Sequence, residues 1–253
     1  MLKIIISPAK KMNCVDDVIE PEQLPVFMRQ AAEIKNQLMQ LSYDELKHLW
    51  QCNDKIATLN YERLQQMSLN TNLTPALLAY EGLQYQYMAP HIFDENQWDY
   101  VRKHLMILSG FYGLLRATDG ITPYRLEMQA KLQIKGATNL YNYWTNTVYN
   151  ALNARCSIIV NLASREYSKV IEQYVTDPTK MLTCTFGELT EKNGVKRVKT
   201  KATAAKMARG EMVRYMAEHN IQDVEQLKAF DRLAYQYSVK HSCANEYVFI
   251  KML

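Results

Sequence analysis

Two short polar segments each follow a run of apolar residues, and they hold side chains suited to chemistry. Ser7 and Lys10 come directly after the Ile-rich run 2–6, while Asn161 and Ser164 lie at the end of a second Ile-rich run. Continuous apolar runs closed by turn-forming residues predict buried strands. The loops at the carboxyl ends of parallel strands form the binding crevice of open α/β sheets. If the two strands are parallel neighbours, these side chains converge on one site.

Two of these residues, Ser164 and Lys10, also have a structural interpretation. Ser164 stands directly before an amphipathic stretch, where serine is a preferred N-cap and its hydroxyl accepts a backbone hydrogen bond. Lys10 taken alone is equally consistent with an exposed lysine. The sequence leaves a structural role open for each.

A second candidate region is the stretch 109–128, SGFYGLLRATDGITPYRLEM, which contains three of the eight glycines. It has no clean helical or strand period, so we expect an ordered loop with short pieces of structure. Closely spaced polar side chains in such a loop are typical of a site. Its candidates are Arg116, Tyr124 and Arg125. Alternatively, Arg125 and Glu127 share one face and simply pair to fix the loop.

A third region is strongly basic. Eight lysines and arginines lie between Lys192 and Arg214, opposed only by Glu211. Such asymmetry in a chain of net charge +4 indicates a polyanionic partner or, equally, a solvated basic face. If 203–219 is a helix, Lys206 and Arg209 project away from its apolar face, and Lys199 and Lys201 add charge from a neighbouring hairpin.

The elements that position these residues indicate a mixed α/β (α+β) protein. Asn193-Gly194 between two alternating segments predicts a β-hairpin near 181–201. Helices are expected over 21–40, 42–50, 56–67, 141–154 and 203–219, and a closing strand over 247–252. Because the two Ile-rich strands are far apart in sequence and must pair, we expect one interwoven domain, 1–253, around a central mixed sheet.

Several classes of protein are disfavoured. The chain has no GxxxxGK[ST], GxGxxG, GxSxG or HExxH motif. Its five cysteines and five histidines are scattered, without the spacing of a zinc site, so we expect reduced thiols and no metal or cofactor. The first residues are not a signal peptide, and no run approaches the length of a membrane span. We expect a cytoplasmic monomer that does not contact membranes.

Six blocks in order resemble the peroxide stress protein YaaA family over nearly the whole chain. They are IIISPAK (4–10), NDKIATLNYERL (53–64), LSGFYGLLRATDGITPYRLEM (108–128), LYNYWTNTVYNALN (140–153), IVNLASREYSKV (159–170) and KMARGEMVRY (206–215). The resemblance implies a role in surviving peroxide stress, associated with lowering free intracellular iron and limiting oxidative DNA damage. It also implies an unusual mixed α/β fold with a basic cleft, a helix-hairpin-helix element and binding of duplex or structured DNA.

The resemblance places the helix-hairpin-helix at about 41–67. Its turn would contact a phosphate of bound DNA, with Lys55 and Arg63 nearby. This turn lacks the glycine of the common form, and a plain antiparallel helix pair is the alternative.

Two functional hypotheses follow. The first is non-sequence-specific DNA binding in a basic cleft formed by Lys10, Arg125, Lys206 and Arg209. The second is an enzyme acting on a small anionic substrate in a pocket that adds Ser7, Tyr124, Asn161 and Ser164. An open groove favours DNA and a narrow pocket favours the small ligand. Direct iron handling is disfavoured by the scattered thiols and histidines, so an effect on iron would be indirect.

Overall fold

The apolar run at the amino terminus forms the middle of a large mixed sheet. The computed structural model describes residues 1–15, 19–154, 156–192 and 194–252. The strands are β1 (Leu2–Ile6), β2 (Lys11–Met12), β3 (Thr74–Pro75), β4 (Tyr80–Glu81), β5 (Leu105–Ser109), β6 (Gly113–Arg116), β7 (Gly120–Ile121), β8 (Ile158–Leu162), β9 (Met181–Lys192), β10 (Val195–Lys199), β11 (Tyr235–Tyr237) and β12 (Glu246–Lys251).

Within the described residues, eight of these strands form one sheet. Its order is β11-β12-β9-β8-β1-β5-β6, and β10 pairs with β9 beyond this path. The inner pairs β12–β9, β9–β8, β8–β1 and β1–β5 are parallel, whereas β5–β6, β9–β10 and β11–β12 are antiparallel. The first and last strands share this sheet, so the predicted mixed α/β fold in one interwoven domain is confirmed.

Helices and short 3-10 turns cover the sheet. The helices are α1 (Met28–Met39), α2 (Tyr43–Trp50), α3 (Asp54–Gln66), α4 (Ala76–Ala79), α5 (Leu83–Met88), α6 (Glu95–His104), α7 (Leu140–Trp144), α8 (Thr147–Asn153), α9 (Arg165–Glu172) and α10 (Ala202–Glu218). The 3-10 turns are Pro90–Ile92, Pro178–Lys180, Val224–Ala229, Arg232–Ala234 and Val239–His241. No helix in the described part of the chain combines the length and apolarity needed to cross a bilayer.

The predicted hairpin is present as β9 and β10, with Gly194 at φ +74° in its turn; Asn193 lies outside the described residues. The helix predicted over 203–219 is α10, and the closing strand is β12. The two helices predicted between 42 and 67 are α2 and α3, joined by a short turn. Ser42 and Glu45 form the capping box that opens α2.

Two helices differ from their predicted bounds. The helix expected from residue 21 begins only at Met28, because the preceding segment pairs with the 109–128 loop: Glu22 N–H donates to the Thr118 carbonyl at 3.1 Å, and Gly120 N–H donates to the Gln23 carbonyl at 2.8 Å. The helix expected over 141–154 is divided into α7 and α8 because Thr145 has φ +45°, which ends a right-handed helix.

Helix α10 packs against α5 at almost direct backbone contact. A Cβ atom added at Gly210 would lie 2.1 Å from the carbonyl oxygen of Gln84 and 3.0 Å from the nitrogen of Met88. Both neighbours are backbone atoms and cannot turn aside as a side chain can. Glycine at this position therefore sets how closely α10 approaches α5.

We expect Gly210→Ala to destabilise the protein. Helix propensity alone predicts that this change stabilises a helix interior by about 1 kcal/mol, whereas the contact with Gln84 predicts a loss of roughly 1–3 kcal/mol from overpacking. Urea unfolding monitored by circular dichroism gives the free energy of unfolding. Because the two effects have opposite signs, a gain in stability would contradict the close contact.

Candidate functional site

The carboxyl ends of β1 and β8 open into a cavity of about 350 Å³. The two strands are parallel neighbours, with Ile6 paired to Leu162, so the segments that follow them leave the sheet side by side. The start of α5, the first turn of α9 and the first half of α10 complete the wall. The sequence prediction of a site at these two strand ends therefore coincides with a real cavity, which we call the strand-end pocket.

Ser7 and Ser164 join the two strand ends directly. The Ser164 N–H donates to the Ser7 hydroxyl oxygen at 2.8 Å, and the Ser7 hydroxyl donates to Ser164 Oγ at 3.2 Å. Ser164 does occupy the N-cap position of α9, but its side chain accepts no capping hydrogen bond from that helix. Its hydroxyl instead faces Ser7 in the pocket lining.

Helix α5 is tied to the same strand ends. The Tyr85 hydroxyl donates to the Ser7 carbonyl at 2.9 Å, and Gln84 Nε2 donates to the Leu162 carbonyl at 3.4 Å. Both side chains are buried and line the pocket. The sequence analysis did not single them out, since neither residue belongs to a chemical motif and only the fold brings them to the strand ends.

Lys206 and Arg209 bring positive charge to the pocket from α10. Among the described residues, no carboxylate forms an ion pair with either. Arg209 Nε is buried and has no hydrogen-bond partner. Burial lowers the pKa of the Arg209 guanidinium, but a guanidinium remains charged at neutral pH. The prediction that Arg209 projects away from the buried side of its helix is wrong, because this side chain enters the pocket wall.

The nearest thiol lies beneath this wall. Cys184 on β9 is fully buried, and burial raises its pKa to about 12. The thiol is therefore neutral at physiological pH and does not compensate the Arg209 charge. All five cysteines are free thiols.

Carboxylates occupy the opposite part of the lining. Lys10 Nζ lies 2.9 Å from Glu127 Oε1, and Lys11 Nζ lies 2.6 Å from Glu81 Oε1. Glu166, in the first turn of α9, forms no ion pair with any residue in the described part of the chain. Its Oε1 accepts a long hydrogen bond, 3.4 Å, from the Gln129 N–H. Burial, followed by the nearby Glu127 charge, raises the pKa of Glu166.

Of these carboxylates, Glu127 belongs to a stretch that the sequence marks as a candidate region, whereas Glu81 and Glu166 were not predicted as pocket residues. Glu166 stands two residues after Ser164, which is a signal that it shares the first turn of α9 and its surroundings. Nothing in the sequence placed Glu81 there, because it comes from a short strand, β4, whose position depends on pairing with β2.

The candidates from the 109–128 loop lie outside the main pocket. Arg116 donates to Asp119 at 2.7 Å and to the Leu24 carbonyl at 2.9 Å, and so fixes the loop. The Tyr124 hydroxyl is buried, 2.7 Å from the Tyr80 hydroxyl and 2.6 Å from Ser109 Oγ.

Arg125 and Asn161 also have structural partners. The Arg125 side chain is only 9% exposed, with Nη2 3.5 Å from the Trp50 carbonyl and 3.8 Å from Glu127 Oε1. The alternative of an Arg125–Glu127 pair is therefore present in the structure. Asn161 accepts from the Ala163 N–H at 3.0 Å and donates to Thr183 at 3.2 Å, which shapes the end of β8.

The remaining basic candidates are spread over the surface. Lys55 is exposed at the start of α3, whereas Arg63, near the end of that helix, donates to the Met12 carbonyl at 3.3 Å. The structure thus does not bring this pair together at the turn. Lys199 is exposed on β10, and Lys201 pairs with Glu188 at 2.6 Å.

A second cavity, of about 340 Å³, lies between α1, α2 and the segment 131–133. Its polar lining residues are three glutamines together with Glu45, His48 and Lys131. It is remote from the strand ends and holds no cluster of like charges, so we do not treat it as the main site. Among the described residues, no group of three or more histidines, cysteines, aspartates and glutamates is arranged to hold a metal ion.

Comparison with known proteins places this architecture in a family. The profile of the peroxide stress protein YaaA family matches residues 2–241. The chain belongs to the peroxide stress protein YaaA family. It is similar to a UPF0246 protein of Desulfitobacterium hafniense, with 51% identity over 252 residues, covering 100% of this chain and 99% of the relative.

Other relatives are similar over their whole length. A UPF0246 protein of Agathobacter rectalis is 52% identical over 248 residues, covering 98% of each chain. Another, from Lachnoclostridium phytofermentans, is 49% identical over 255 residues, covering 99% of this chain and 96% of the relative. The resemblance found in the six sequence blocks is thereby confirmed.

We expect Glu166→Gln to stabilise this YaaA-family protein at neutral pH. A raised pKa means that the folded state binds the Glu166 proton more tightly than the unfolded state does, so the ionised carboxylate opposes folding above that pKa. The gain should shrink as pH falls through the raised pKa towards the ordinary value near 4.3. Urea unfolding at several pH values measures it. Glu62→Gln, the same change on an exposed face of α3, is the control; an equal effect there would contradict the assignment to burial.

Proposed function

We propose that this protein serves the peroxide stress response by binding a small phosphate- or carboxylate-bearing ligand in the strand-end pocket. The observation that carries the proposal is Arg209, whose Nε is buried in the pocket wall without a hydrogen-bond partner. The exposed Lys206 lines the same cavity, and neither cation has a carboxylate partner among the described residues. A desolvated cation is costly unless it is paired. An anionic ligand would supply the missing partner.

The size of the cavity supports a small ligand over a polymer in the pocket itself. At about 350 Å³ it lies at the lower end of the range for small-molecule sites. A duplex whose major groove alone is about 12 Å wide is too large to enter a cavity of this volume, and it could contact only the mouth of the pocket through single phosphates. Arg125, a predicted wall of an open basic cleft, is buried instead. These features favour the small anion over DNA as the occupant.

The geometry also suits recognition of an oxyanion. A guanidinium presents paired N–H groups that match phosphate and carboxylate oxygens. The hydroxyls of Ser7 and Ser164 lie in the same lining and offer neutral hydrogen bonds. Positive charge, hydroxyl donors and a concave apolar wall that includes Leu83 and Tyr167 are the components of a small-anion site.

We expect Lys206→Ala/Arg209→Ala to weaken binding of inorganic phosphate and propyl phosphate by roughly 10- to 100-fold, the loss typical of charged hydrogen bonds. Isothermal titration calorimetry measures the dissociation constants. The matched control is Arg29→Ala/Lys240→Ala, which removes the same charges from exposed positions outside the pocket. Equal weakening in both double variants, or no binding by the parent protein at millimolar phosphate, would contradict the proposal.

DNA binding is the second candidate function, and a separate surface supports it. Arg197 and Lys199 are exposed on β10, and the chain continues through Lys201 towards Lys206. Exposed cations along an edge can contact successive phosphates without reading sequence. Lys55 at the turn between α2 and α3 would be a further contact. An effect on free iron would be indirect in either case.

We expect mutations on the β10 surface to weaken DNA binding without changing phosphate binding in the strand-end pocket. Fluorescence anisotropy of labelled duplex and bulged DNA across a salt series should show Arg197→Ala/Lys199→Ala lowering affinity and reducing the salt slope by about 2, because two phosphate contacts are lost. The same variant should bind inorganic phosphate as the parent protein does. Absence of DNA binding by the parent at near-physiological salt would exclude this second function.

A further inference from the structure

The charges that line the strand-end pocket do not all find partners within it. Two of its lysines are paired, Lys10 with Glu127 at 2.9 Å and Lys11 with Glu81 at 2.6 Å. Lys206, Arg209 and Glu166 remain, and none of them forms an ion pair with a described residue. The unpaired set is thus two cations and one carboxylate.

These unpaired groups come from different walls. Lys206 and Arg209 belong to α10, and the neutral, buried thiol of Cys184 on β9 lies near Arg209. Glu166 belongs to the first turn of α9 and lies beside the segment 127–129, where it accepts from the Gln129 N–H. No ion pair joins Glu166 to Lys206 or Arg209. We call the α10 wall the cationic side, and we call the part of the lining that holds Glu127, its partner Lys10, and Glu166 the acidic side.

The acidic side retains capacity to accept a hydrogen bond. Glu127 is engaged by Lys10 and lies 3.8 Å from Arg125 Nη2. Glu166 accepts a long bond, 3.4 Å, from the Gln129 N–H and also interacts with the Met128 backbone and the nearby Lys10 charge. An ionised carboxylate has about four lone-pair sites, so Glu166 can still accept from a donor placed in the pocket.

We propose that the ligand is an aminoalkyl phosphate, with its phosphate between Lys206 and Arg209 and its ammonium group donating to Glu166. This inference rests on the proposed function, which assigns the ligand an anionic group, and it adds that the ligand also carries an ammonium group. A phosphate monoester carries a charge of about −1.5 to −2 at pH 7, which matches the two cations. A single ammonium group matches the single unpaired carboxylate.

Glu166 is then the residue that sets specificity. A carboxylate in an anion-binding pocket repels a plain phosphate, so its presence lowers affinity for ligands without a donor. The same carboxylate strengthens binding of a ligand that brings a cation to it. The pocket therefore discriminates by the group at the far end of the ligand, while Lys206 and Arg209 hold the end that all candidate ligands share.

The test compares O-phosphoethanolamine with propyl phosphate, which has a methyl group where the first has its ammonium. By isothermal titration calorimetry at pH 7.5, we expect the parent protein to bind O-phosphoethanolamine roughly 10-fold or more tightly, as is typical for a hydrogen bond between charged groups. In Glu166→Gln the ratio should fall towards about 1, with propyl phosphate binding tighter than to the parent. Glu62→Gln should keep the parent ratio.

A pH series on the parent protein tests the same point without mutation. The preference for O-phosphoethanolamine should decline as pH falls through the raised pKa of Glu166, because the protonated carboxyl no longer attracts an ammonium group. Lys10, Lys11, Glu81 and Glu127 also line the pocket, and the ratio of two ligands with the same phosphate cancels their common effect on the phosphate.

The outcomes separate this inference from the function on which it rests. Equal affinity for both ligands in the parent protein, or an unchanged ratio in Glu166→Gln, would overturn the aminoalkyl ligand and leave the anion pocket standing. Failure of both ligands to bind would overturn the anion pocket as well. A preference that appears in the parent and disappears in Glu166→Gln alone establishes Glu166 as the acceptor.

Discussion

Parallel pairing of β1 with β8 is the interaction on which the site depends. The register that sets Ile6 opposite Leu162 makes two segments of distant sequence leave the sheet together, and the Ser164 N–H bond to Ser7 closes the gap between them at 2.8 Å. Both strands are apolar and buried, so a one-residue slip would turn their buried side chains to the opposite faces of the sheet. Packing of the core thus determines the register of β1 and β8, and this register determines where Ser7 and Ser164 lie in the pocket.

The second constraint is the contact of α10 with α5. Glycine at position 210 lets the two backbones meet, and the same helix carries Arg209 directly before it and Lys206 one turn earlier. Because α5 is itself bonded to the strand ends through Tyr85 and Gln84, the backbone of α10 that carries the two cations is held close to the sheet. A backbone positioned before binding reduces the ordering cost of ligand binding.

The pocket contains groups that folding alone does not favour. Arg209 has a buried Nε without a partner, and Glu166 is a carboxylate whose pKa burial raises. Uncompensated polar groups inside a protein lower its stability, and perturbed ionisable groups gathered in a cavity are typical of functional sites. The Arg116–Asp119 pair contrasts with them, since it holds the 109–128 loop in place.

The sequence by itself determined the strands, the hairpin and the polar residues at the two strand ends, because apolar runs and turn residues act locally. It also determined the family, through six blocks in order. Only the tertiary structure decided which charges face one another. Arg125 and Arg209 are both basic residues in promising segments, yet one is sealed against Trp50 while the other lines the pocket. Glu166 joined the site because strand pairing and helix packing, which act between residues far apart in the chain, set the direction of α9.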